Sequence, residues 1–172
     1  MTEVAPPPVP WEAPVEPVGP APGVEFAPHG SRILAYLLDS VLLFVLMIAL
    51  LVLGLAAGAG DLQTATDAGE AVSGVTVAVF ALLVLAWLII VFAYFPFFWA
   101  RGGQTPGMRP FGLVIVRDQD GGRIGWGAAW LRLIGMYVAS SVFYLGFIWI
   151  FVDKRRRGWH DLIASTVVIK RS

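Results

Sequence analysis

The chain has 172 residues, of which 58% are hydrophobic and 14% charged; its mean hydropathy is +0.76 and its formal net charge zero. Ordinary soluble domains carry about a quarter charged residues, so this composition belongs in lipid, and it lacks the soluble basic face that nucleic-acid binding needs. The length holds one compact membrane domain rather than two large ones, and with no cysteine, disulfide and thiolate chemistry are excluded.

Up to residue 100 there are eight acids and one base, Arg32, whereas from Arg101 onward there are eleven bases and four acids. Residues 1–29 hold nine of the twelve prolines, four Glu and no Lys or Arg. Such a segment cannot bury enough apolar surface to offset its ordering entropy, so a disordered, Pro-rich acidic tail is expected ahead of a membrane domain over 30–172. Neither the basic start nor the short apolar run of a signal peptide is present. Its "PPPVP" reads either as a ligand for an aromatic groove or as a solvated spacer.

The first apolar segment, about 33–57, follows Arg32, with Ser31 as the expected N-cap. The second, about 74–99, ends in "FAYFPFFWAR", where Tyr94 and Trp99 are expected at the membrane interface and Arg101 as an anchor. Both are long enough to cross about 30 Å of hydrocarbon. Between them lie Asp61, Asp67 and Glu70 without a base. Because Lys and Arg are retained inside, the amino terminus and the loop after Arg101 are expected in the cytoplasm and the acidic loop outside. Gly54 and Gly58 have the spacing that lets helices approach closely.

From Gly102 to Gly127 the sequence is broken by Gly and Pro around the β-branched run Val114–Val116 and "DQDGG", which reads as a strand, a turn and a short return strand. Asp118 and Asp120 fit a Gly turn better than a metal pair, since no other ligands cluster with them. The closing "STVVIKR" has the same β-branched character and is expected to pair with "GLVIV" in a minimal cytoplasmic β element. The third apolar segment, about 128–152, is flanked by Arg132 and by Lys154, Arg155, Arg156 and Arg157. A single crossing would put the densest basic cluster outside, so the segment is expected to kink or re-enter near Gly146, against the alternative of a plain third span. The four bases are expected to hold anionic lipid headgroups. The fold class is thus an all-α integral membrane protein: a two-helix transmembrane hairpin, the third segment and the β element.

Asp39 interrupts the first apolar segment, and a carboxylate in a membrane-length helix marks a functional site by default. Arg32 is seven residues away, on the same helical face but about 10 Å off. Asp39 is therefore expected to find another partner, to be protonated, or to meet water; Arg132 is one candidate partner, with Tyr137, Ser141 and Tyr144 lining the same interior. Two histidines, His29 and His160, do not make a metal site. "GGQTPG" lacks the Lys of a phosphate loop, and no nucleophile with its base can be assembled, so neither an enzyme nor a cofactor is expected.

Three motifs together resemble the RDD family of bacterial membrane proteins, named for one Arg and two Asp. "SRILAYLLDSVLLFVL" is similar to its first helix, "GGQTPGMRPFGLVIVRDQDGGRI" to its Gly-Thr-Gly loop and strand, and "DKRRRGWHDLIASTVVI" to its closing segment. The naming residues would fall on Arg32, Asp39 and Asp161, and Met108 replaces a Lys common in the family. The resemblance implies a multi-pass protein of the bacterial inner membrane and a part in transport; an ion or proton site of Asp39, Arg32 and Asp161 is expected for that role, with Asp39 binding or relaying a cation or proton and Arg32 with Asp161 fixing the cytoplasmic end. At 172 residues a homo-oligomer or a larger membrane partner is needed to complete a pathway; the alternative is a non-transporting adaptor that binds anionic lipid and recruits a partner through its tail.

Overall fold

A computed structural model describes residues 19–20, 24–141 and 145–171. The Pro-rich run before residue 19, and Tyr144, lie outside the described residues. Strand β1 (Glu25–Phe26) leads into helix α1 (His29–Ala68), which turns through Gly69 into helix α2 (Gly74–Gly102). These two helices are long and apolar enough to cross a membrane, and nearly all of their apolar surface is left uncovered by the rest of the chain. With such a surface the protein is a membrane protein.

The hairpin is closed by small residues. A Cβ on Gly54 would meet Phe80 Cε1 at 3.0 Å, and one on Gly58 would meet Thr76 Cγ2 at 2.9 Å, so both glycines serve the α1–α2 contact within one chain. At the far end the Asp61 carboxylate accepts the Ser73 N–H (2.9 Å), while the Ser73 hydroxyl caps α2 by accepting from Thr76 N–H. Asp61 and Asp67 therefore belong to α1, not to the acidic loop that the sequence suggests.

Beyond Gly103 come a 3-10 turn (Arg109–Phe111), strand β2 (Leu113–Arg117) and helix α3 (Trp126–Ser141). Helix α4 (Leu145–Ile148), a second 3-10 turn (Trp149–Phe151), helix α5 (Trp159–Ile163) and strand β3 (Thr166–Lys170) complete the chain. The sheet order is β1-β3-β2, wholly antiparallel, with Ile115 opposite Val168 and Phe26 opposite Ile169. Alternation sends Leu113, Ile115 and Val168 into the main core with Trp99, Ile124 and Leu133, and groups Phe26, Val114, Val116 and Val167 in a smaller one. Because β1 precedes α1 and β2 follows α2, the sheet sits at the end of the hairpin where α1 begins and α2 ends.

Several expectations are corrected. Helix α1 begins at His29 after Pro28, so Ser31 is not its N-cap, and Glu25–Phe26, read as tail, is an edge strand. The return strand after "DQDGG" is a single bridge, Val116 to Arg123, on the edge of β2 opposite β3, where the Gly103 carbonyl already takes the Ile115 N–H. Trp99 is buried, with the Arg132 guanidinium 5.0 Å above its ring, so it is no interfacial residue. Tyr137 and Ser141 point outward and line no polar interior. In the third apolar segment, a Cβ on Gly146 would meet Ala139 Cα at 2.8 Å. An unbroken helix would hold positions seven apart about 10 Å from each other, so α4 folds back on α3.

Candidate functional site: two buried charge clusters

Two polar clusters are buried where the hairpin meets the sheet. The first surrounds Asp39, which is fully buried. Its Oδ1 accepts the Tyr94 hydroxyl (2.7 Å) and the Gly107 N–H (2.7 Å), and its Oδ2 accepts the Thr105 hydroxyl (2.5 Å). Thr105 Oγ1 in turn accepts the Met108 N–H (3.2 Å). The carboxylate thus ties α1 to α2 and to the loop 103–108.

Two glycines permit that approach. Gly103 ends α2 with φ 66°, and its carbonyl accepts the Ile115 N–H, joining helix end to β2. Gly107 lies so close to α1 that a Cβ would meet the Ala35 carbonyl oxygen and the Asp39 Oδ1, the latter at 2.7 Å. Asp39 also lies nearer the end of the lipid-facing stretch than a mid-membrane site would. The charge-free run from Ser40 to Gly60 is by itself about 30 Å long, the thickness of the hydrocarbon.

The second cluster surrounds Asp161, also fully buried. Arg132 Nη1 donates to Asp161 Oδ1 and to the Thr166 hydroxyl (2.7 Å). Arg32 Nη1 donates to Asp161 Oδ2 (3.2 Å) and its Nη2 to the Val168 carbonyl (3.3 Å). The same Oδ2 accepts the Gly158 N–H (3.0 Å) at the start of α5. One carboxylate therefore joins α1, α3, α5 and, through Thr166 and Val168, β3. Burial pushes the Asp161 pKa up, but Arg132 and Arg32 with the Gly158 N–H outweigh it and hold the carboxyl well below its ordinary value. Burial pushes the neighbouring His160 down to about 3, so its ring is neutral at pH 7.

The geometry separates residues that the sequence reading had grouped. Asp39 bonds to neither Arg32 nor Arg132; both guanidinium groups bond Asp161 instead, because α3 packs against α5 rather than opening toward Asp39. The basic run is engaged as well. Arg155 and Arg157 donate to Asp118 (2.6 and 2.9 Å), Arg157 also to Asp153, and Arg156 to the Phe26 carbonyl (3.1 Å). Three of the four bases expected at lipid headgroups, Arg155, Arg156 and Arg157, thus hold the turn after β2 and the edge strand β1; Lys154 is exposed. Among the described residues no three of His, Cys, Asp or Glu gather as a metal site.

The model of the RDD family matches residues 26–165. The chain belongs to the RDD family. No curated protein and no solved structure matches it. Arg32, Asp39 and Asp161, the three residues that the sequence resemblance singled out, are all buried here, yet they sit in two clusters. Tyr94, Thr105, Gly107, Arg132 and Thr166 complete those clusters. Of these, Arg132 drew attention in the sequence for the wrong partner, and Tyr94 only as an interfacial aromatic. The signal for Thr105 and Gly107 was the "TPG" step itself, whose glycine is needed by the close backbone approach to Asp39.

Proposed function

We propose that this RDD protein is a membrane-anchored scaffold, an adaptor whose charged family residues fasten a small sheet to a transmembrane hairpin. One observation carries the reading: Arg32, Asp39, Arg132 and Asp161 are each bonded within the chain, so the expense of burying them is met by joining segments far apart in sequence. The platform so formed presents its basic turn and the Pro-rich tail on one side of the bacterial inner membrane. The uncovered apolar faces of α1 and α2 meet lipid, further copies of the chain or a membrane partner.

The sheet side is cytoplasmic in this proposal, because Arg101, Arg109, Arg117, Arg123 and the run 154–157 lie there and the opposite turn has only acids. Helix α3, 16 residues long, covers about 24 Å, too little to span the bilayer. Its outward Trp126, Trp130, Ile134 and Tyr137 seat it in the interface, so the third segment re-enters and the carboxyl terminus is cytoplasmic. The natural absence of Cys gives a clean test. An impermeant thiol reagent on intact cells is expected to label a Cys at Asp67 and to spare one at Arg117 or Ser172; the reverse pattern overturns the orientation.

A second reading keeps the transport role, with Asp39 exchanging a cation or proton within an oligomer or larger complex. It is favoured by the fact that the three bonds to Asp39 come from neutral donors, with no cation among them. Proteoliposomes with an internal pH dye separate the two. The scaffold reading expects wild type and Asp39→Asn to show the same leak; flux in wild type that Asp39→Asn abolishes, with the variant still folded, favours transport.

A further inference from the structure

Beside the edge strand β1 lies a cavity of about 570 Å³ lined by Phe26, Trp149, Val152, Lys154, Arg155 and Arg157. Its cations belong to the run 154–157, which together with Asp118 and Asp153 carries two positive charges in excess. The ion pairs within this turn leave donors over. Arg155 gives Asp118 one N–H, from Nη1, out of the five on a guanidinium, and its side chain is 42% exposed. Trp149 and Val152 add exposed apolar surface, so the cavity suits an occupant that carries acids and apolar groups together.

The chain itself supplies such a segment at this place. Phe26, in the cavity wall, is the second residue of β1, so everything that precedes it is tethered there. Residues 1–18 contain Glu3, Glu12, Glu16 and Trp11, with no Lys or Arg. A Cβ on Gly19 would collide with the Val24 carbonyl and meet the Glu25 Cα at 3.0 Å, so the chain doubles back just ahead of β1 instead of running away from the sheet. Tethering at that point gives the acids an effective concentration at the cavity of about millimolar. In the polyproline geometry that prolines favour, at about 3.1 Å per residue, Glu12 and Glu16 stand about 12 Å apart, and such a segment loses little freedom on docking.

We infer that residues 11–16, "WEAPVE", dock in this cavity, with Glu12 and Glu16 on Lys154 and Arg155 and with Trp11 against Trp149 and Val152. An anionic phospholipid offers the same charge, but the tail is already held at the wall by β1. The contact joins two parts of one chain on the same side of the membrane, so it holds in either orientation and for scaffold or transport alike. A partner recruited through the tail must displace it.

The test uses the full chain, whose lack of Cys allows one spin label in the tail, at Ala13→Cys, and one on the exposed turn beside Asp118, at Gln119→Cys. Pulsed electron paramagnetic resonance in nanodiscs then reads the distance between them. A single narrow, short-distance population is expected, unchanged on dilution with unlabelled protein and present in phosphatidylcholine with or without phosphatidylglycerol. Arg155→Gln also loosens Asp118, so the deciding variant is Glu12→Gln with Glu16→Gln, which alters nothing in the sheet or the helices. It is expected to lose the short population, while Glu3→Gln keeps it. A broad distribution in the doubly labelled chain, or a narrow one that survives Glu12→Gln with Glu16→Gln, overturns the inference. So does a short population that falls on dilution, which makes the occupant the tail of a second copy, or one that phosphatidylglycerol abolishes, which makes it a lipid.

Discussion

Asp161→Asn is expected to be the most damaging single substitution in the chain, lowering stability by about 3–5 kcal/mol and leaving little protein in the membrane. The shape is kept, but Arg132 and Arg32 lose the only carboxylate either of them bonds in the cluster. Arg32→Met is expected to be milder, because it leaves Asp161 paired with Arg132 and brings the cluster to charge balance. Comparing abundance and melting temperature of the two variants in membranes checks the order; an equal or larger loss for Arg32→Met contradicts it.

The same cluster sets the acid response. His160 has a folded pKa near 3 against an ordinary 6.5, so between those values the unfolded chain binds more protons and stability falls as pH falls. Asp161 acts in the same direction lower down: its depressed pKa contributes stability above the ordinary carboxylate value, lost as pH drops through the folded one. Acid weakening is therefore expected to begin near pH 6.5. His160→Gln, which cannot take up that proton, should flatten the melting curve between about pH 6.5 and 5.

Gly107→Ala is expected to rival Asp39→Ala, a result that burial of the glycine alone does not suggest. The added methyl would meet the Ala35 carbonyl and the Asp39 carboxylate, both fixed, so the loop 103–108 must lift from α1. Asp39→Ala instead strands the Gly107 N–H and two hydroxyls, which at about 1–3 kcal/mol per stranded group is a loss of about 3 kcal/mol or more. Asp39→Asn keeps one acceptor and is expected to lose about half as much. Chemical unfolding in micelles checks the series; Gly107→Ala within about 0.5 kcal/mol of wild type would remove the loop clamp from the account.

The hairpin was legible because lipid imposes long uncharged runs, and 33–57 and 74–99 fall inside the two helices found. The partner strands "GLVIV" and "TVVIK" were legible from their β-branched residues, which suit a ladder with both faces covered. Edge strand β1 was hidden because Glu25–Phe26 is only two residues long beside prolines, and it gains its place from β3 rather than from its own pattern. At the site, Asp39 stood out as a charge in an apolar run with Arg32 at its entrance, whereas Asp161, behind a basic run, was singled out only by the family resemblance. Their partners did not stand out, because Thr105, Gly107 and Thr166 become ligands only when segments 66, 68 and 34 residues away fold onto them. Arg132 was visible but ambiguous: spacing says which face of a helix a side chain takes, not which other helix meets that face.

That Asp161 is a fastening of the fold is tested most directly by a double-mutant cycle between Arg132 and Asp161, with unfolding free energies measured in nanodiscs for wild type, Arg132→Met, Asp161→Asn and the pair. The expected result is a double variant less destabilised than the sum of its parts by about 2 kcal/mol or more, since removing both charges leaves fewer buried ions unmatched. Additivity within about 0.5 kcal/mol would contradict it.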